Sequence, residues 1–420
     1  MSVTFTSLWG TRRVKSVASK IGSGKTPTGG SETYAKEGII FLRSQNIHFD
    51  GLRLDDVAFL DQATHRDMRA TRVQPDDVLL NITGASLGRV ARTPLSFGEA
   101  NVNQHVCIIR PTEEVNSRYL AYALASRPGQ EQIRELQAGG NREGLNFDQV
   151  GNLLLPAAPL EEQHRIADFL DTEIARINEL IRLYRQLDKL AAERSQRVLD
   201  DAVGQRADLV PLRYIVRFRE GPGIMAADFH PDGVPLIRIS GLKHGEVTLN
   251  GCNFLDPAKV ARQWSHFRLR MGDRLISGSA TMGGVSVVQS PAVVGSVPYT
   301  GLIILRPAQA NVEMNYVEAF LRSSSFSQQI DLLKTGATMQ HFGPTHLSQV
   351  KAPLPSPDHQ RRVATIAGEA LHHASRCNRL AHHQISLLME RRQALITAAV
   401  TGQFDVSTAS GRNVTEGVSV

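Results

Sequence analysis

The clearest pattern in the chain is an apolar repeat with alternating steps of four and three residues. Near the carboxyl end, nine of its eleven positions are apolar: Val363, Ala367, Ala370, Ala374, Cys377, Ala381, Gln384, Leu388, Arg391, Leu395 and Ala398. The same register 197 residues earlier has eight apolar positions of eleven: Ile166, Leu170, Glu173, Ile177, Leu180, Tyr184, Leu187, Ala191, Arg194, Val198 and Asp201. A 3.5-residue repeat brings helices together along a seam. We therefore predict two antiparallel helices of roughly 40 residues, about 60 Å long; the alternative is two separate surface helices.

The regions outside the long helices alternate short apolar runs with glycine and proline, which is typical of short strands. In the first half this pattern predicts strands at 39–47, 77–82, 88–91 and 106–110, then helices at 116–126 and 130–137. In the second half it predicts strands at 235–239, 273–276, 284–289 and 301–306, then helices at 315–322 and 327–334. Each half is therefore mainly β, with some helix.

The two halves also match in sequence. Six short segments recur in the same order with offsets of 195 to 199 residues, among them 107–111 with 303–307 and 163–167 with 360–364. This period is too long for a solenoid and indicates duplication of a whole domain with its helix. The predicted fold is α+β: two mainly-β domains with short helices, separated by a long antiparallel two-helix coiled coil, with a pseudo-two-fold internal repeat. The predicted boundaries are 1–157 and 206–356 for the domains, 158–205 and 357–403 for the long helices, and 404–420 for a disordered tail.

The charge distribution adds a candidate class of ligand. The net charge is +6 and the pI about 9.3. Residues 1–155 carry +2 and residues 205–355 carry +5, whereas residues 156–204, around the first long helix, carry −3. Basic globular parts are compatible with binding a polyanion such as DNA. A mildly basic protein without a nucleic-acid role is the alternative on charge alone.

Other sequence features favour a cytoplasmic protein. Cys107, Cys252 and Cys377 lie far apart and form no CxxC pair, which argues against a disulfide framework or a zinc knuckle. The first residues lack the apolar segment of a signal peptide. No uninterrupted apolar run approaches the ~18 residues that a membrane span needs.

No catalytic motif stands out, so we expect a non-catalytic protein without a cofactor or metal of its own. Residues 22–26 resemble the end of a phosphate-binding loop, but Ser19 stands where that motif needs glycine and Pro27 follows it. The histidine pairs at 372–373 and 382–383 lack the spacing and the carboxylates of a metal site. Nuclease, amino-methyltransferase and serine-hydrolase motifs are not found, although an enzyme with unrecognised motifs remains the alternative.

Polar loop clusters are the candidate DNA contacts, since Arg, Gln and Asn side chains suit base edges and small residues let backbone approach a duplex. Ordinary polar turns are the alternative. In the first half the candidates are Arg43, Ser44, Gln45, Asn46, Thr83, Ser86, Arg89, Asn141 and Arg142. In the second half they are Arg238, Ser240, Lys243, Ser279, Thr281, Gln340 and His341. The two sets of candidate contacts differ, which predicts that two domains of the same architecture recognise different DNA sequences.

Several segments resemble the specificity subunit of type I restriction–modification systems. Residues 155–171 resemble its proline-rich entry into the first conserved helix, and residues 395–406 its closing segment. Residues 21–27 and 41–47 are similar to the opening of its first target-recognition domain. Together with the duplication, the resemblance covers nearly the whole chain, to about residue 406.

The resemblance implies a function. Each target-recognition domain would read one half of a bipartite, asymmetric site in double-stranded DNA, and the coiled coil would set the spacer and dock two methyltransferase subunits. A restriction subunit would be a further partner. S-adenosylmethionine, ATP and Mg²⁺ would be bound by these partners, and this chain would have no catalytic activity and no membrane contact. The alternatives are the recognition subunit of a stand-alone or type II-like modification system, or a protein-binding scaffold without DNA specificity.

Overall fold

The computed structural model describes residues 7–138, 144–204, 208–243, 245–278, 284–334 and 342–407. The chain divides into two compact units: unit 1 comprises Met1–Tyr184 and His382–Val420, and unit 2 comprises Arg185–Ala381. Each unit therefore contains one domain and half of each long helix. No helix in the described ranges is long and apolar enough to cross a membrane. Most of the predicted disordered tail, from residue 408 on, lies outside the described residues.

Unit 1 contains two main sheets. Its strands are β1 (Thr11–Arg13), β2 (Ala18–Ser23), β3 (Ile39–Leu42), β4 (Ile47–His48), β5 (Gly51–Leu52), β6 (Ala58–Leu60), β7 (Val78–Asn81), β8 (Val90–Arg92), β9 (Ala100–Val102), β10 (Val106–Pro111) and β11 (Leu154–Pro156). Its helices are α1 (Gln62–Asp67), α2 (Ser117–Ala125), α3 (Arg127–Ala138), α4 (Phe147–Asn152) and the long α5 (Leu160–Val203), which continues into unit 2. The sheet orders are β2-β10-β7-β8 and β6-β3-β9, with smaller pairs β1-β11 and β4-β5.

The strands of the larger sheet bury both faces. Along β10, Cys107 and Ile109 face a core shared with α2 and α5, whereas Val106 and Ile108 face a second core under the smaller sheet. Successive side chains of a strand point to opposite faces, so a run of apolar residues without alternation fits a strand covered on both sides. This is why the predicted strand at 106–110 begins with four consecutive apolar residues, 106–109.

Unit 2 repeats this plan. Its strands are β12 (Leu209–Pro211), β13 (Val216–Glu220), β14 (Phe229–His230), β15 (Val234–Ile237), β16 (Leu242–Lys243), β17 (Glu246–Val247), β18 (Asn253–Leu255), β19 (Arg274–Ser277), β20 (Val285–Val287), β21 (Val297–Pro298), β22 (Leu302–Pro307) and β23 (Lys351–Pro353). Its helices are α6 (Pro257–Lys259), α7 (Met314–Leu321), α8 (Ser324–Lys334), α9 (Pro344–Gln349) and the long α10 (Pro357–Thr401), which continues into unit 1. The sheet orders are β13-β22-β19-β20-β17-β16 and β14-β18-β15-β21.

Individual side-chain contacts recur in both units. Arg110 Nε and Nη2 donate to the two carboxylate oxygens of the buried Asp77 at 2.8 and 2.9 Å. Arg306 makes the same paired contact with Asp273 at 2.8 and 2.6 Å. The duplication therefore preserves the contacts that join neighbouring strands as well as the strand order.

A glutamine in the first turn of each long helix makes a second repeated contact. Gln163 accepts a hydrogen bond from Asn116 N at 2.9 Å and donates to Ala158 O at 2.8 Å. Gln360 makes the two equivalent bonds at 2.9 Å each. These buried amides connect the first turn of each long helix with the amino-terminal end of another helix, which is α2 in unit 1 and α7 in unit 2. Further matched pairs are Gly38 with Gly233, Asp61 with Asp256, Tyr119 with Tyr316, and Gln132 with Gln329.

The two long helices pack together and run antiparallel, as predicted. In unit 1 the beginning of α5 shares a core with the end of α10, where Ile177 and Ile181 lie with Leu395. In unit 2 the end of α5 shares a core with the beginning of α10, where Leu199 lies with Val363.

The predicted seam of α5 is wrong in its second half. Leu180 and Leu187 are 45% and 50% exposed, whereas Ile181 is only 6% exposed. The later seam positions Arg194 and Asp201 are also exposed. A straight helix has 3.6 residues per turn and drifts from a 3.5-residue repeat. In addition, the last turns of α5 bury three other residues in the unit 2 core: Leu199, Ala202 and Val203.

The predicted short elements exist, with one informative difference. The run at 39–47 is not one strand: β3 ends at Leu42, residues Ser44–Asn46 form a 3-10 turn, and β4 begins at Ile47. The predicted helices at 116–126 and 130–137 correspond to α2 and α3.

Candidate nucleic-acid interface

The first candidate turn is shaped by Asn46. Its side-chain oxygen accepts from Arg43 N at 2.9 Å, and its amide nitrogen donates to Arg53 O at 2.9 Å and Asp56 O at 3.2 Å. The residue is only 2% exposed. Asn46 therefore closes the turn from inside, in place of the backbone bonds that a continuing strand would make.

Arg43 and Gln45 of this turn share one acidic neighbour. Gln45 Nε2 donates to Asp56 Oδ2 at 2.8 Å. The Arg43 guanidinium donates to Asp56 O at 3.1 Å, lies 4.0 Å from its carboxylate, and sits 5.8 Å from the centre of the Tyr34 ring. Gln45 is exposed, Ser44 is half-buried, and the arginine side chain is 24% exposed. The neighbours thus hold both polar groups in defined positions at the surface.

The second candidate turn, Gly84–Ser86, follows β7 and is joined to the first turn by one residue. Asn81 Nδ2 donates to Ser44 O at 2.8 Å and to Ser86 Oγ at 3.1 Å. Gly84 has a φ of 71°, a left-handed conformation that favours glycine. Arg89 is half-buried and has no side-chain partner among the described residues. The structure therefore brings together two predicted loops that lie about 40 residues apart in the sequence.

Sequence reasoning missed a neighbouring polar group. The Thr83 hydroxyl is hydrogen-bonded to His105 Nδ1, and the other ring nitrogen of that histidine lies 3.1 Å from Gln104 Nε2. Gln104 also accepts a hydrogen bond from the Thr26 hydroxyl. The available signal was a polar pair in the short connection between two buried strands, β9 and β10, where Gln104 is exposed.

The equivalent turn in unit 2 keeps the arginine but changes its surroundings. Arg238 Nη1 donates to Asn253 Oδ1 at 3.0 Å, and its guanidinium lies 4.8 Å from the centre of the Tyr299 ring. Ser240 Oγ donates to Asn250 O at 3.2 Å. Lys243 is exposed and has no side-chain partner in the described part of unit 2.

Six predicted contacts lie outside the described residues: Asn141, Arg142, Ser279, Thr281, Gln340 and His341. The described residues beside them lie close to the turns. Gly144 forms a bridge with Thr83, and Phe342 N donates to Gly278 O at 3.1 Å.

The phosphate-loop-like segment is part of a sheet. Gly22 and Ser23 belong to β2 and pair with β10. A Cβ on Gly24 would lie 1.6 Å from Val102 O, so glycine is needed there for close backbone packing. Within the described ranges, no group of three or more His, Cys, Asp or Glu residues is placed to hold a metal ion.

Comparisons with known proteins show which proteins the chain resembles. A family model described as the type I restriction modification DNA specificity domain matches residues 6–188. The EcoKI specificity subunit of Escherichia coli K12 is 21% identical over 402 residues, covering 89% of this chain and 86% of that protein. The EcoBI specificity subunit of Escherichia coli is 20% identical over 362 residues, covering 79% and 74%.

Solved structures show the same fold. A chain from a structural study of the assembly and conformational transition of a type I restriction–modification system has a TM-score of 0.73 at 19% identity, with 94% of this chain and 98% of that chain covered. The HsdS subunit from Thermoanaerobacter tengcongensis has a TM-score of 0.50 at 19% identity, with 94% and 97% covered. Residues 6–188 thus match the DNA specificity domain of type I restriction–modification systems, and the chain is similar over most of its length to specificity subunits of such systems.

Proposed function

We propose that unit 1 and unit 2 each contain a target-recognition domain that reads one half of a bipartite, asymmetric site in double-stranded DNA. The observation that carries this proposal is that the two units repeat the same buried ion pair but differ in their surface turns. The Asp77–Arg110 and Asp273–Arg306 pairs are equivalent, whereas Gln45 is replaced by Ser240 at the equivalent turn position. Two domains that share their buried contacts but differ in their surface turns suit the recognition of two different DNA sequences.

The comparison of the turns also separates candidate roles. Arg43 and Arg238 are the same residue at the end of equivalent strands, so they suit a contact common to both half-sites, such as a phosphate. Gln45 and Ser240 differ and suit base discrimination, because glutamine can pair with adenine through two hydrogen bonds. Thr83, Ser86, Arg89 and Lys243 are further candidate contacts. Asn46 acts by holding the turn.

The six candidates outside the described residues complete the proposed set, because the neighbouring Gly144 and Phe342 lie beside the turns. Domain limits of 1–157 and 206–356, with long helices at 158–205 and 357–403, remain our proposal for the recognition and connecting parts.

The long helices are the proposed spacer and docking element for two methyltransferase subunits, with a restriction subunit as a further partner of the complex. Helix α5 exposes four leucines by about half, at spacings that place them along one side of a helix: Leu180, Leu183, Leu187 and Leu190. Exposed apolar side chains in such a row suit a protein partner. S-adenosylmethionine, ATP and Mg²⁺ would be bound by the partner subunits.

The test is to assemble the chain with the methyltransferase subunits of its own system and to map the methylated bases of a genome. We expect one asymmetric sequence in two parts with a constant spacer. Specific methylation by this chain alone, or no duplex binding by the complete assembly, would contradict the proposal. The latter result would favour a protein-binding scaffold.

A matched pair of variants tests the turns. Gln45→Ala should reduce discrimination at one base pair of one half-site by roughly tenfold, the value of a lost paired hydrogen bond, and leave the other half-site unchanged. Ser240→Ala should affect only the other half-site. Loss of preference in both half-sites from either variant would contradict independent reading.

A further inference from the structure

Unit 2 contains a strongly cationic cavity whose lining includes none of the candidate DNA contacts. It has a volume of about 510 Å³, and its lining includes Arg217, Arg219, Arg270, Arg306 and Asp273. Four guanidinium groups therefore face one carboxylate. Arg217, Arg219 and Arg270 are exposed, so their charges are accessible.

The groups around these arginines do not neutralise their charges. Arg217 on the edge strand β13 lies directly opposite Arg306 on β22, and like charges in that position destabilise a sheet. The Asp273 carboxylate is already engaged by Arg306 and by the backbone nitrogen of Arg270. Neither Arg217 nor the Arg270 side chain has a hydrogen-bond partner among the described residues.

Arg219 is held in place in the wall of the cavity by two neighbouring residues. Arg219 donates to His266 O at 2.5 Å and lies 5.8 Å from the centre of the Phe267 ring. Its backbone and aromatic contacts leave its positive charge unpaired. Arginine groups held in this way are preorganised for an oxyanion.

Unit 1 shows that the fold does not require all of these cations. At the equivalent strand positions Lys20 replaces Arg217 and Gly22 replaces Arg219, and Gln74 replaces Arg270 next to the Asp77–Arg110 pair. The Lys20 ammonium donates to Ala70 O at 2.5 Å. Burial and the neighbouring Arg110 lower the pKa of Lys20.

We propose that this cavity is a phosphate-binding site of unit 2 that holds the DNA backbone beside the second half-site. Guanidinium groups bind phosphate oxygens through paired, charge-assisted hydrogen bonds. β19 runs from the cavity at Arg274 to Ser277, two positions before the candidate contact Ser279 in the sequence, a rise of roughly 10 Å. That distance corresponds to about three base-pair steps. The inference rests on the proposed function and adds a contact that reads no sequence.

The test compares the salt dependence of duplex binding by the complete methyltransferase assembly, with the wild-type chain and with Arg217→Gln/Arg270→Gln. On a duplex with long flanks, we expect the double variant to lower the slope of log K against log salt by about 2, since each phosphate contributes about 0.9. The methylated sequence should stay unchanged. Shortening the flank beside the second half-site should remove the difference between the two assemblies.

Three controls make the result specific. Arg217→Lys/Arg270→Lys should retain the wild-type slope, Lys20→Gln should leave it unchanged, and so should the charge-matched Arg213→Gln/Arg262→Gln. An unchanged slope in the Gln double variant would overturn the phosphate site while leaving sequence recognition intact. An absence of specific methylation by the wild-type assembly would instead contradict the proposed function.

Two further measurements cover the free protein. Because Arg217→Gln/Arg270→Gln removes unpaired charge, this variant should raise the thermal midpoint of unfolding of the full chain in low salt. Pyrophosphate should stabilise the wild-type chain more than this variant. Stabilisation by pyrophosphate without any change in the DNA salt slope would assign the cavity to a free phosphate compound and overturn the DNA contact. A lowered midpoint without phosphate would show that the arginines serve the fold, and would also overturn the proposal.

Discussion

Unit 1 and unit 2 differ least in their buried polar contacts and most in the charged and polar residues around them. Asp77 with Arg110 and Asp273 with Arg306 form the same ion pair to within about 0.3 Å. Immediately beside these pairs, Lys20 in one unit corresponds to Arg217 in the other. Buried polar groups have few acceptable partners, because an unpaired one is costly. Surface residues are not constrained in this way, so they are where two copies of one domain can acquire different ligands.

The largest expected effect tests whether the buried ion pair contributes equally to the free energy of unfolding in the two units. Asp77→Asn and Asp273→Asn should each cost about 3 kcal/mol of unfolding free energy, because each leaves a part-buried arginine without its carboxylate. Both carboxylates are nearly inaccessible, at 0% and 6% exposed. Denaturant unfolding of the full chain measures both costs. A large loss in only one unit would contradict the equivalence.

An intermediate effect should reveal an asymmetry within the frame. The Tyr119 hydroxyl is 3.2 Å from both Pro156 O and Val400 O, whereas among the described residues the Tyr316 hydroxyl has one acceptor, Pro353 O at 2.6 Å. Loss of a buried hydrogen bond costs about 1 kcal/mol. Tyr119→Phe and Tyr316→Phe should therefore each destabilise their unit by about that amount, with the larger loss in Tyr316→Phe, because each hydroxyl donates a single proton and the Tyr316 bond is the shorter one. A larger thermal shift in Tyr119→Phe would contradict this order.

The smallest expected effect is a dependence on pH that the units share. Hydrogen bonds from Thr64 N to Asp61 and from Lys259 N and Ala258 N to Asp256 hold the pKa of each carboxyl below its ordinary value. The charged caps therefore stabilise the fold above about pH 4, near the unfolded pKa, and this contribution is lost as pH falls through the lower folded pKa. Asp61→Asn and Asp256→Asn should narrow the stability difference between pH 5 and pH 3. An unchanged difference would contradict the capping role.

Much of the architecture could be predicted from sequence, because it rests on local patterns. The apolar runs at 78–80 and 106–109 mark strands covered on both faces, and the duplicated segments mark two equivalent domains. The candidate turns were located by polar residues at strand ends. Their joining through Asn81 was not predictable, because that contact depends on a hydrogen bond across 37 residues of chain.

Other features required the packed molecule. Gln104 and His105 gave only a weak polar signal, and their place beside Thr83 depends on the pairing of β7 with β10. The cationic cavity was also hidden in the sequence. Arg217 and Arg270 are 53 residues apart in number and meet only where an edge strand and a turn converge.

The sequence by itself determined that this protein is a duplication with two long amphipathic helices and basic domains, because periodicity and charge are properties of neighbouring residues. Only the tertiary structure decided that Ile181, and not Leu180, faces the packed side of α5. One residue turns a helix by about 100°, and the final turns of α5 must also bury Leu199. The face that a helix buries is thus set by all its distant contacts together, and those contacts exist only in the fold.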